Sequence, residues 1–223
     1  TGAVRFIALA VAVSATSKLS LRGLERGFAA AASSRQRPLL VGVCGGSGSG
    51  KTTLCTKAGA ELQKSGLRVE LLSSDSYYKP LSAQELHWAE EGKFNFDEPA
   101  AVDLPLMAEH LSRFRDGQEV EIPEYSHALN ARVPSVRSIV ASRCDVLFVD
   151  GLYVLRHDLV RSQLDLKIFI DVNTDACLAR RISRDKRERC RTEESVAAQW
   201  ESTVLPGFEA FIRPSRLRAD IIV

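Results

Sequence analysis

Gly45 and Gly50 bracket the stretch GGSGSGKTT, with Gly46, Ser47, Gly48 and Ser49 between them and Lys51, Thr52 and Thr53 behind. Glycines at this spacing let successive backbone N–H groups converge on phosphate oxygens, and a helix opening at Lys51 adds its positive end. Lys51 has the reach to meet β- and γ-phosphates, and the Thr52 hydroxyl is a hard oxygen suited to Mg²⁺. The stretch follows an apolar strand-like run and precedes a helical one, which is the context the P-loop pattern requires. Nucleotide binding follows from this; phosphoryl transfer, hydrolysis and simple binding all remain open.

Three further groups bear on that choice. Asp150 ends the apolar run DVLFVDG, where a carboxylate can hold Mg²⁺ directly or through water, or can simply be a polar strand end. Asp75, in SSDSYYKP, follows a second strand-like run. A carboxylate there, beside a metal and Lys51, stays ionised and could take the proton of an acceptor hydroxyl; a turn-forming Asp is the plain alternative. Arg180, Arg181, Arg184, Arg187, Arg189 and Arg191, with Lys186, fall within twelve residues. Arg181 and Arg184 share a helix face at i, i+3. Such a helix can serve as a lid stabilising charge on a transferring phosphoryl group. It can also be a solvated face interleaved with Asp185 and Glu188, or a nucleic-acid patch.

The elements that would position these residues alternate. LLVGVCG, LRVELLSSD, DVLFVDG and LKIFIDV are β-rich apolar runs. Helical patterns cover 52–64, 174–189 and a stretch from Glu193 toward Phe211 that Pro206 should interrupt. Ser82 and Glu85 have capping-box spacing, and DLPLMAEHLSRFRDG reads as a helix with Asp103 as cap and Gly117 as stop. QEVEIPEYS and VPSVRSIV alternate with period two, as in a small antiparallel hairpin, and ADIIV reads as a last strand. This order predicts an α/β fold: a central parallel sheet flanked by helices, with a β-hairpin insertion and an Arg-rich lid. Ligands in such sheets collect beyond the carboxyl ends of the strands.

The 223 residues suffice for one core, and 26% charged with 45% hydrophobic residues is ordinary for a globular chain. A net charge of +2 gives no general case for a nucleic-acid partner. Five unclustered cysteines suggest reduced thiols, and the four dispersed histidines lack zinc spacing. Residues 1–37 are rich in Ala, Ser and Arg, and their apolar run is too short to span a bilayer. They read as a leader before the domain at 38–223: a transit peptide, a signal-peptide core or a disordered extension. A cytoplasmic location is expected, or an organelle if the leader is a transit peptide. The chain starts without Met and stops inside a strand-like run, so further residues are expected at both ends.

GGSGSGKTT, SSDSYYK, FNFDEP, IPEY, VDGLY and LARRISRDKRERCR occur in the order and at about the distances found in the uridine–cytidine kinase family of P-loop kinases, and the resemblance covers Pro38 to Val223. It implies ATP and Mg²⁺ as cofactors and transfer of the γ-phosphate to the 5′-hydroxyl of uridine or cytidine. By that likeness Asp75 is the catalytic base, and Thr52, Asp75 and Asp150 surround Mg²⁺, Asp150 standing where Glu is more usual. Asp97 holds the ribose hydroxyls, with Phe96 before it and Tyr78 and Tyr125 lining the pocket. Arg189 and Arg191 contact phosphate, Gln199 contacts ribose, and a homotetramer formed partly through the hairpin is implied.

The chain departs from the family in YSHALNAR. His127 stands where a stacking Phe is usual, and Asn130 where a base-reading His is expected. Asn can donate and accept on a base edge, so recognition is altered rather than lost. Another acceptor (a different nucleoside, pantothenate or ribulose 5-phosphate) and a nucleotide-binding ATPase are the alternatives.

Overall fold

The computed structural model describes residues 37–91, 93–127 and 129–223. The leader expected at 1–37 lies outside the described residues except for Arg37, whose guanidinium is 3.3 Å from Asp165.

Five parallel strands form the central sheet in the order β2 (Val69–Ser73), β5 (Val146–Asp150), β1 (Leu39–Gly45), β6 (Leu166–Ile170) and β7 (Ile221–Ile222). β1 and β5 are buried at every position, which is why they read as unbroken apolar runs. Their side chains still alternate between faces. Leu39, Val41, Val43, Val146 and Phe148 pack with Leu54, Cys55, Ala58 and Leu62 of α1 (Lys51–Lys64). Leu40, Cys44, Leu147 and Val149 face the other way, onto Leu104, Met107, Leu111 and Phe114. Those four belong to α3 (Leu104–Arg115), which Asp103 caps by accepting from Leu106 N–H at 3.3 Å. α2 (Ala83–Glu90) carries the expected capping box: Glu85 N–H donates to Ser82 Oγ at 3.3 Å, and Ser82 N–H donates to Glu85 Oε2 at 2.8 Å.

β3 (Glu119–Ser126) and β4 (Ala131–Val140) form the antiparallel hairpin, outside the main sheet. Val120, Ile122 and Ile139 join the α3 side of the core. At the tip end, Arg132 clasps the hairpin to the turn after β2. It donates to Tyr78 O at 2.9 Å and Tyr77 O at 3.3 Å, and pairs with Asp103 at 3.3 Å.

α4 (Asp158–Ser162) follows β5, α5 (Thr174–Glu188) follows β6, and α6 (Glu193–Gln199) begins the last helical stretch. That stretch does not break at Pro206. Leu205 and Phe208 on either side keep helical dihedrals, and the ladder widens into π turns at Trp200–Val204 and Phe208–Ile212. Leu205 N–H bonds Trp200 O and Arg213 N–H bonds Phe208 O, each five residues back. A wider ladder accommodates a residue with no N–H to give.

Candidate active site

The carboxyl ends of β1, β2, β5 and β6 open on one side of the sheet, and every candidate group hangs from them or from an insertion beside them. The P-loop leaves β1 and runs into α1. Gly48 has φ of 78°, and a Cβ there would overlap the Cys177 carbonyl of α5, so only glycine lets lid helix and loop meet. Lys51 Nζ donates to Gly46 O at 2.8 Å, curling over the loop. Ser49 Oγ is buried with no hydrogen-bond partner, a free polar atom inside the cradle. Thr53 is exposed on α1.

Thr52 Oγ1 donates to Asp150 Oδ2 at 2.6 Å, which joins the start of α1 to the end of β5. Burial pushes the Asp150 carboxyl up, and the Thr52 and Ser73 hydrogen bonds and the Lys51 charge partly offset it. Gly151 follows, and a Cβ there would overlap Ser74 Oγ. Its bare Cα therefore lets the Ser74–Tyr77 turn pack onto the β5 end and brings Asp75 beside Asp150. Among the described residues no ready-made cluster of three or more His, Cys, Asp and Glu side chains could hold a metal. A hydroxyl and one or two carboxylates at the edge of a phosphate cradle are what Mg²⁺ takes, since it keeps waters and phosphate oxygens for its other positions. Thr52, Asp150 and Asp75 fit that ion.

Asp75 is half exposed, 3.7 Å from His127 Nε2. Partial desolvation works to raise its pKa, but the neighbouring His127 imidazole and the Lys51 and Arg189 charges outweigh it and hold the carboxyl below its usual value. Tyr78, on the same turn, forms an aromatic cluster: its ring centroid is 6.0 Å from Phe96, 5.2 Å from Tyr125 and 6.0 Å from His127. The Tyr125 hydroxyl is buried without a partner. Asn130 occupies the hairpin turn with φ of 47°, a left-handed conformation that Asn tolerates.

Asp97 is 7% exposed, across the cleft from the P-loop. Burial raises its carboxyl pKa, and the charges of Arg181 and Arg191 and a hydrogen bond from Thr203 pull it back. Thr203 Oγ1 donates to Asp97 Oδ2 at 2.9 Å from the first π turn, and the Tyr153 hydroxyl donates to Asp97 O at 2.6 Å.

The arginine run forms the second half of α5 and the turn after it, lying over the P-loop. Arg181 Nη1 donates to Ser47 Oγ at 2.7 Å, and Arg180 Nη1 donates to Ser49 O at 3.4 Å. Gln199 Oε1 accepts from Arg181 Nη2 at 2.8 Å and Arg191 Nη1 at 2.6 Å, so here it braces arginines. The two interleaved acids part company. Glu188 is exposed and pairs with Arg187, whereas Asp185 is fully buried and lies within 4 Å of Arg181, Arg184, Arg189 and Arg191.

The phosphoribulokinase/uridine kinase family profile matches residues 40–223. The chain belongs to that family. It is 43% identical over 188 residues to uridine-cytidine kinase A of Dictyostelium discoideum, an alignment covering 84% of this chain and 36% of that longer protein. With the uridine kinase of Lactobacillus johnsonii it shares 37% identity over 188 residues, covering 84% of this chain and 87% of the relative. Among solved structures, phosphoribulokinase from Rhodobacter spheroides superposes with a TM-score of 0.62 at 15% identity, over 84% of this chain and 70% of that one. D-glycerate 3-kinase from Cryptococcus neoformans superposes with a TM-score of 0.59 at 18% identity, over 93% of this chain and 86% of that one. These two establish the fold as that of P-loop kinases.

For this family member, Ser47, Thr52, Asp75, Tyr78, Phe96, Tyr125, His127, Asp150 and Arg181 meet their partners at the carboxyl end of the sheet, whereas Thr53 and Arg187 point outward and Asn130 sits in the hairpin turn. Those missed are Asp185, Thr203, Ser74 and Tyr153. Thr203 and Tyr153 act on Asp97 from 106 and 56 residues away, with no local pattern to mark them. Among the described residues no helix is long and apolar enough to cross a membrane.

Proposed function

We propose that this chain transfers the γ-phosphate of ATP to the 5′-hydroxyl of uridine or cytidine. The observation that carries this reading is Asp75: a carboxylate on the turn after β2, 3.7 Å from the His127 imidazole and in the field of Lys51 and Arg189, with an aromatic cluster and a buried Asp97 completing the cleft. Phosphoryl transfer asks little covalent chemistry of the protein, so catalysis rests on positioning and charge. The P-loop amides and Lys51 hold the phosphate chain. Thr52, Asp150 and Asp75 hold Mg²⁺, which offsets phosphate charge when bound. Asp75 accepts the proton of the attacking hydroxyl, while Arg181, Arg184, Arg189 and Arg191 stabilise charge on the transferring group. Asp97 accepts from the vicinal hydroxyls of the ribose, and Tyr78, Phe96 and Tyr125 enclose the base. The five free cysteines support a reducing compartment. The family likeness supports a homotetramer.

A second reading keeps the chemistry and changes the acceptor. It is favoured by His127, whose imidazole pairs with Asp75 where the likeness implies a stacking Phe, and by Asn130 in the hairpin turn. Initial rates of ADP formation with ATP and Mg²⁺, over a panel of nucleosides, pantothenate and ribulose 5-phosphate, test both. Turnover with uridine and cytidine above the rest is expected. Turnover confined to another acceptor supports the second reading, and acceptor-independent hydrolysis overturns both.

A further inference from the structure

Asp185 is 0% exposed, on a helix otherwise crowded with positive charge. Arg184 donates to its Oδ1 through Nε at 2.8 Å, with Nη2 at 2.7 Å, and Arg189 Nε lies 3.8 Å from the same oxygen. On the other oxygen, Arg191 Nη1 is 3.6 Å away and Arg181 Nε 3.7 Å. The backbone wraps the same residue: Arg189 N–H and Arg191 N–H both donate to Asp185 O, at 3.1 and 3.2 Å. One carboxylate thus gathers four guanidinium groups, a local excess of three positive charges; of these, Arg181 reaches Ser47 of the P-loop, and Arg181 and Arg191 act on Asp97.

A single arginine would neutralise a buried carboxylate; four exceed any need for charge balance. The contacts are also uneven. Oδ1 is hydrogen-bonded, whereas Oδ2 and the Arg181 Nε opposite it are buried with no hydrogen-bond partner. The Arg181 and Arg191 guanidiniums are therefore drawn to Asp185 by charge alone, while their directional bonds go to Ser47, Gln199 and Ser195. Carboxylate and phosphate oxygens take arginine N–H groups in the same forked geometry, so a bound polyphosphate and Asp185 draw on one set of donors.

We propose that Asp185 is a positioning residue that serves the lid as an internal counter-anion. It fans the four arginines into place and competes with the nucleotide phosphates for them. The lid then stabilises the transition state without over-binding substrate or product, since a grip shared equally by ground and transition states adds nothing to turnover. Release of ADP is the step that such competition speeds. This inference rests on the proposed phosphate-binding role of the lid arginines.

The test uses the full chain carrying Asp185→Asn, which keeps shape and removes charge. ATP and ADP affinities by calorimetry should tighten about tenfold, the change associated with freeing one charge-assisted contact, while kcat falls about tenfold. Movement in opposite directions is the signature, because a merely structural role would weaken both. Unchanged or weaker ATP binding in the folded variant overturns the inference. Should that variant not fold, Asp185→Glu retains the charge one methylene out: ATP affinity within about twofold and a reduced kcat are expected. An unchanged kcat there overturns it. Arg184→Gln separates the two levels. If it alters neither ATP affinity nor kcat, the phosphate-binding reading of the lid fails; if it cripples turnover while Asp185→Asn leaves ATP binding unchanged or weaker, only the counter-anion fails.

Discussion

At the phosphate end of the cleft, Ser47, Lys51, Thr52 and Asp150 hang from β1, α1 and β5, and both strands are buried at every position. At the acceptor end, Tyr78, Phe96, Tyr125 and His127 hang from a short turn, a loop and a hairpin whose β4 strand is exposed from Pro134 to Ser138. The first end is fixed by backbone conformation and by bonds between elements of the main sheet. The second is assembled from side chains on insertions that contribute little to the sheet itself. Such a division lets the acceptor change while the phosphate chemistry stays. It also explains why the departures from family pattern, His127 and Asn130, fall on the hairpin.

Substitutions at the two ends should therefore fail in different ways. The largest effect is expected where the ends meet: Asp75→Asn should lower nucleoside-dependent turnover about 10²- to 10⁴-fold with ATP affinity retained. Turnover within about tenfold of the parent would remove Asp75 as the base. At the phosphate end, Gly48→Val combines overlap with the Cys177 carbonyl and a left-handed φ, a strain of about 1–3 kcal/mol. Thermal unfolding should show a lowered Tm that ATP no longer raises. At the acceptor end, Thr203→Val removes the hydroxyl bonded to Asp97 and should raise the nucleoside KM about tenfold, in line with a hydrogen bond to a charged group. The ATP KM should not move, and Thr203→Ser should restore the parent value. The sign of its pH effect is fixed too. Burial raises the Asp97 pKa, so nucleoside binding should weaken as pH falls, starting above the ordinary aspartate range. Losing the Thr203 bond should move that limb to higher pH, and a shift to lower pH would contradict the assignment. The smallest effect belongs to neither end: Ser82→Ala should cost about 1 kcal/mol in denaturant unfolding through loss of the α2 capping box, with kinetics unchanged.

The phosphate end was legible because its signals are local: glycines, a lysine and two threonines in nine residues, preceded by an unbroken apolar run that marks a buried strand. The capping box at Ser82 and Glu85 and the cap at Asp103 were readable for the same reason. What escaped depends on distant parts meeting. Asp185 sits in a run of arginines that reads as solvated, and it lies buried among the guanidinium groups of Arg181, Arg184, Arg189 and Arg191, the last two brought back by the turn at the end of α5. Thr203 reaches Asp97 because a π turn rotates it inward, whereas Pro206 alone suggested a break. His127 could be noted as an unusual ring, but its partner Asp75 lies 52 residues earlier on another element.

Arg132 couples two of these elements mechanically. By gripping the carbonyls of Tyr77 and Tyr78, one guanidinium ties the hairpin to the turn that carries Asp75. A push on the outer strand, or an altered tip loop, is therefore transmitted to Asp75, the proposed base, as well as to the pocket wall.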